Sequence, residues 1–238
     1  MKLGPTFQEQ MQRLGSTWNQ GEHVLVSGPT GSGKTALTRH IVQNRIDRGG
    51  HVVVMVGKLG RDETITRDYA GWTRWKTWKK KPAAWENRIL LWPDTDKVRS
   101  IDGKRDLQKA VFSEAFDKLS NSGKWTLQID EGLYTVSPSY LNLGNAVGML
   151  HAMGRSSKLT IVTLTQRPSH LPLIVYSSAA HVFAGRMREE GDRKRLAELG
   201  GREGSRELVT KISGLGRHEF CWIPVAPDWP SEIVDMSV

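Results

Sequence analysis

The 238-residue chain contains a single cysteine, Cys221. That excludes an internal disulfide and leaves any zinc site without its usual thiolates, so a reducing compartment is expected. No apolar run approaches the ~20 residues that a membrane helix needs, and Met1-Lys2-Leu3-Gly4-Pro5-Thr6 is not followed by the apolar core of a signal peptide. The expected location is the cytoplasm, with no intrinsic membrane segment. Low-complexity tracts, internal repeats and linker-like composition breaks are also missing. The reading is therefore one domain over residues 1–238, with an N-terminal helix or arm at 1–20, an insertion at 71–86 and an extended C-terminal tail at 224–238. Acidic residues are outnumbered, 25 against 34 Lys and Arg, for a formal net charge of +9. This favours polyanionic partners, although many basic proteins bind no nucleic acid.

Where the chain is patterned, strands alternate with helices. Residues 5–15 place Phe7, Met11 and Leu14 on one helical face, and core packing is the plain reading of that helix. β-rich runs follow at Glu22–Ser27, His51–Val56, Arg88–Trp92, Trp125–Asp130, Lys158–Thr165, His181–Ala184 and Glu219–Ile223. Helices are expected at 33–48, 104–120, 139–154 and 191–200. This alternation predicts an α/β fold with a doubly wound, mostly parallel sheet.

Gly28-Pro29-Thr30-Gly31-Ser32-Gly33-Lys34-Thr35 lies between the first strand and the next helix. Backbone N–H groups can turn inward around a triphosphate only where glycine permits the angles and the close approach, as at Gly28, Gly31 and Gly33. Lys34 is placed to reach the β- and γ-phosphates of ATP, and the Thr35 hydroxyl to ligate Mg2+. Asp130 ends an apolar strand where its carboxylate would join the magnesium shell, though Gln128 interrupts the apolar pattern. Glu131, one residue on, suits a base that polarises water, which favours hydrolysis over phosphoryl transfer to a substrate. A later strand ends in Thr165-Gln166-Arg167-Pro168, where Gln166 could position the lytic water and Arg167 could contact phosphate.

Taken in order, Gly28 to Thr35, Ile129-Asp130-Glu131 and Thr163-Leu164-Thr165-Gln166-Arg167-Pro168-Ser169 resemble the FtsK–HerA superfamily of DNA-translocating ATPases over roughly residues 20–200. The Gln-Arg-Pro-Ser strand end carries the discrimination. The resemblance implies that the sheet is of the P-loop NTPase (RecA/ASCE-like) type, with ATP and Mg2+ as cofactors, double-stranded DNA as partner, and a homo-oligomeric ring, hexameric by preference. It also implies that Arg155, in a segment similar to the one preceding the superfamily's sensor strand, is a finger reaching a neighbour's γ-phosphate, with Arg186 and Arg188 as second choices. Without the extra modules of other members, the chain looks most like compact viral genome-packaging ATPases. That would add a viral portal or a capsid or membrane protein as partner, and host cytoplasm or virion as location. The alternative is a nucleotide-gated assembly or secretion ATPase, conjugation-type or with a non-DNA substrate.

Between the second and third strands, Trp72, Trp75, Trp78 and Trp85 interleave with Arg74, Lys76, Lys79, Lys80 and Lys81. Cations that neutralise phosphates beside rings that stack on bases make these five the candidate DNA contacts. An equally weighted reading sets the first three tryptophans at near-helical spacing against the core and the lysines in solvent.

Overall fold

A computed structural model of the chain describes residues 6–78, 82–83, 85–224 and 232–236. Lys79, Lys80 and Lys81 lie outside the described residues. Helix α1 (Phe7–Thr17) opens on a capping box in which Thr6 and Glu9 satisfy each other's backbone N–H groups. Strand β1 (His23–Ser27) feeds α2 (Lys34–Asp47), followed by β2 (His51–Met55), α3 (Glu63–Asp68), β3 (Thr73–Trp75) and β4 (Arg88–Leu91). The long α4 (Ile101–Ser122), capped by Ser100, leads to β5 (Trp125–Ile129), α5 (Gly132–Val136), α6 (Gly144–Ser157) and β6 (Thr160–Thr165). Then come α7 (Leu173–Ser177), β7 (Ala179–Gly185), α8 (Glu190–Ala197), α9 (Gly201–Gly214), β8 (Glu219–Pro224) and β9 (Glu232–Asp235).

The described strands form one sheet in the order β3-β4-β2-β5-β6-β1-β7-β8-β9. It is parallel from β3 through β7, and β8 and β9 are added antiparallel. Helices cover both faces, which is why β1, β5 and β6 are buried at every position and read as continuous β-branched and apolar runs. Alternate residues serve opposite cores: Leu25 joins the cluster under α4 and α6, whereas Val24 and Val26 join Leu37 and Ile41 of α2 and Leu14 of α1. Every parallel strand ends on the same edge, and β6 lies between β1 and β5. The loops after these three strands therefore converge.

Three segments depart from the sequence reading. The tryptophan insertion is not helical where described. Trp75 in β3 packs with Trp78 and Trp125 on one face, while Trp72 packs edge-on against Tyr69 on the other. Trp72 precedes the three-residue β3 and Trp78 follows it, so the three rings lie along an irregular path and not on one helical face. Helix α9 was not anticipated; Gly200, Gly201 and Gly204 lower the helix propensity where it begins. Residues Glu232–Asp235 of the expected tail pair with β8 as an edge strand.

Candidate nucleotide-hydrolysis site

The glycine-rich loop leaves β1 with Gly28 N–H donating to the Thr165 carbonyl of β6 at 3.1 Å, so both strand ends share one turn. Gly31 and Gly33 take φ of 76° and 93°, the left-handed region that glycine enters without strain. At Gly28 the constraint is space, since a β-carbon there would lie 2.6 Å from Ser32 Oγ. Lys34 Nζ sits inside the loop, donating to the Gly28 and Pro29 carbonyls at 2.8 and 2.9 Å. Burial holds its pKa below the ordinary lysine value, opposed by the nearby carboxylates of Glu131 and Asp130.

Across the cleft, burial pushes the Asp130 carboxyl up to about 6; Lys58 pulls it down and Glu131 adds to the rise. Glu131 is raised too, by burial first, with the Gln166 hydrogen bond and Lys34 opposing. Gln166 links the two walls. Its Oε1 accepts from Thr30 Oγ1 at 2.8 Å and its Nε2 donates to Glu131 Oε2 at 3.1 Å. The other Glu131 oxygen, Oε1, is buried and without a hydrogen-bond partner, as is Ser32 Oγ. Gln128, the polar interruption in β5, donates at 2.7 Å to the buried Tyr69 hydroxyl, whose pKa burial and Asp130 raise.

The cleft so formed has a volume of about 620 Å3, enough for a nucleotide's phosphates and their ion. The Thr35 hydroxyl and Asp130 carboxylate are hard oxygen donors of the kind Mg2+ takes when phosphates complete its shell. Two raised, adjacent carboxyls, one with an unpartnered buried oxygen, fit a nearby divalent cation.

The structure brings together Gly28 to Thr35, Asp130, Glu131 and Gln166. Arg167 adjoins them in a neighbouring cleft that also holds Arg186 and Arg188, and its Nε pairs at 3.0 Å with the buried Asp192 of α8. Arg155 is elsewhere: in the last turn of α6, beside the start of β1, it lies at the opposite edge of the sheet from this chain's own phosphate loop. The Arg74 guanidinium lies over the Trp92 ring, 4.5 Å from its centroid, and Lys76 pairs with Asp94 at 2.6 Å. The sequence reading missed Lys58, Asp62, Tyr134 and His218, which also line the cleft. Lys58 was findable, because it lies three residues past the end of β2 on the ligand-binding edge.

No family model matches the sequence, and no curated protein does. Among solved structures, the genome packaging NTPase B204 from Sulfolobus turreted icosahedral virus 2, in complex with AMP, superimposes with a TM-score of 0.59 at 18% identity, covering 91% of this chain and 98% of that one. VirB4 of Thermoanaerobacter pseudethanolicus gives 0.60 at 10% identity, with 91% and 89% covered. The pCW3 conjugation coupling protein TcpA, in a monomer form with ATPγS, gives 0.56 at 13% identity, with 91% and 60% covered. At such identities the likeness is one of fold.

Proposed function

We propose that the chain is an Mg2+-dependent ATPase that translocates double-stranded DNA, acting as a homo-oligomeric ring in the manner of a viral genome-packaging motor. The observation that carries the hydrolytic part is the Thr30–Gln166–Glu131 chain, which sets a partly buried carboxylate opposite the phosphate loop. Lys34 binds the β- and γ-phosphates, and Thr35 with Asp130 holds the magnesium ion, which would neutralise phosphate charge. Glu131 takes the proton from the attacking water, and burial makes it a stronger proton acceptor than a free carboxylate. Gln166 orients Glu131 and, through Thr30, joins it to the loop that contacts the γ-phosphate.

The DNA part is supported by the net charge of +9 and by a fold shared with a viral genome packaging NTPase over nine-tenths of the chain. Strand β3 is parallel to β4, so the part of the insertion that leaves β3 at Lys76 starts on the same edge as the nucleotide cleft. Arg74, Lys76, Lys79, Lys80 and Lys81 belong to this reading as DNA contacts. The fold shared with the conjugation coupling protein TcpA supports the second reading, a conjugation-type ATPase.

ATP turnover measured with and without duplex DNA tests the proposal. The expected result is stimulation by DNA that fades between about 50 and 200 mM salt as phosphate contacts weaken. Glu131→Gln should bind ATP yet lose turnover by about 100-fold or more. A rate indifferent to DNA, with no salt-sensitive DNA binding, would remove the translocase.

A further inference from the structure

Helix α4 turns one stripe of side chains into the protein: Gln108, Val111, Phe112, Ala115, Phe116 and Leu119 are its buried residues. Their spacing of three and four is that of an apolar helical face. Gln108 is the polar exception, and it is 0% exposed. A buried amide is costly unless it is hydrogen-bonded, and this one is bonded in three directions.

Its Nε2 donates to the Val56 and Lys58 carbonyls at 3.3 and 3.0 Å, and its Oε1 accepts from the Tyr134 hydroxyl at 2.7 Å. Carbonyl oxygens only accept, which fixes the orientation of the amide and makes the hydroxyl the donor. Strands β2 and β5 pair as far as Met55, whose carbonyl accepts from Asp130 N–H at 3.3 Å, and Val56 and Lys58 come just past that point. Trp92 Nε1 pins the same loop from a second side, donating to the Lys58 carbonyl at 3.3 Å. Tyr134 follows Glu131 by one turn in α5, and a β-carbon on Gly57 would lie 3.1 Å from its ring. Gly57, Lys58, Glu131 and Tyr134 all line the nucleotide cleft, and Gln108 stands behind them.

We propose that Gln108 is a positioning residue for ATP hydrolysis, a role that rests on the ATPase reading and adds a support to it. From α4 it ties the segment after β2 to the segment after β5, so the wall carrying Lys58 and the turn that sets Glu131 are held as one body. Another apolar side chain would fill the space in the stripe. Holding two carbonyls and a hydroxyl from separate segments is what requires the amide. The effect belongs to turnover and not to binding, because the phosphate loop across the cleft is held by its own contacts with Lys34 and Thr165.

Turnover of ATP and binding of ATPγS separate this role from a purely structural one. Tyr134→Phe removes one hydroxyl and keeps the ring against Gly57, whereas Gln108→Met removes the amide at similar volume. Each should lower kcat about tenfold and leave ATPγS affinity within about twofold. The double variant should be no slower than Gln108→Met, since both changes break one network. If Gln108→Met does not fold, Tyr134→Phe decides alone. An unchanged kcat, affinity lost in step with turnover, or losses that multiply in the double variant would overturn the positioning role and leave the ATPase reading standing. A wild-type protein that bound ATPγS but did not hydrolyse ATP, with or without duplex DNA, would overturn both.

Discussion

Asp130 is held at a cost. Between the ordinary carboxyl value of 3.8 and its folded value of about 6, the folded protein binds more protons than the unfolded chain. Stability therefore falls as pH rises through that window and levels off above it. Replacing the carboxylate removes the penalty: Asp130→Asn should raise the stability of the nucleotide-free protein at pH 8 by on the order of 2 kcal/mol. In thermal unfolding that is a gain of roughly 4–8 °C, shrinking to nothing near pH 4. A gain of equal size at both pH values, or a loss at pH 8, would show that burial of Asp130 is not what sets its state. The residue's place at a strand end was legible from the apolar run before it. Its discomfort was not, because it comes from burial and from Glu131, offset by Lys58 and Lys34, and only the folded sheet brings these groups together.

Helix α8 matters to the site through one side chain at its start. Asp192, 2% exposed, accepts from Ser169 N–H and Oγ at 2.9 and 2.6 Å and pairs with Arg167, so it anchors the loop after β6 that carries Gln166. Asp192→Ala leaves a guanidinium and a backbone N–H without their partner. The expected cost is about 2–4 kcal/mol, read by urea denaturation, with kcat falling more than KM rises because Gln166 loses its mooring. Asp192→Asn, which keeps an acceptor for Ser169, should cost less; equal losses from the two variants would argue against the anchoring role. At this scale the sequence was most informative where one force dominated. Doubly covered strands such as β1 and β6 announce themselves as β-branched runs, and the phosphate loop by its glycines. Helix α9 was hidden because tertiary packing overrides the propensity of its glycines, and β3 because three residues are too few to show a period.

Over the whole molecule, Arg155 and the phosphate loop occupy opposite edges of one sheet, so any action of Arg155 on a γ-phosphate requires a second copy of the chain. Mixing Arg155→Ala with Lys34→Ala subunits should recover part of the turnover that each lacks alone, since some interfaces then join an intact loop to an intact finger. No recovery at any ratio would remove Arg155 from the reaction. The fold itself imposes a last condition. The hydrogen bonds that set Glu131 opposite the loop connect Thr30 to Gln166 across 136 residues and Gln166 to Glu131 across 35. Contacts so distant along the chain close late and slowly, so nascent protein must thread and pair β1, β5 and β6 before any catalytic geometry exists. The acquisition of ATPase activity during refolding is therefore a clock for completion of the central sheet, and it should lag behind the recovery of helical signal.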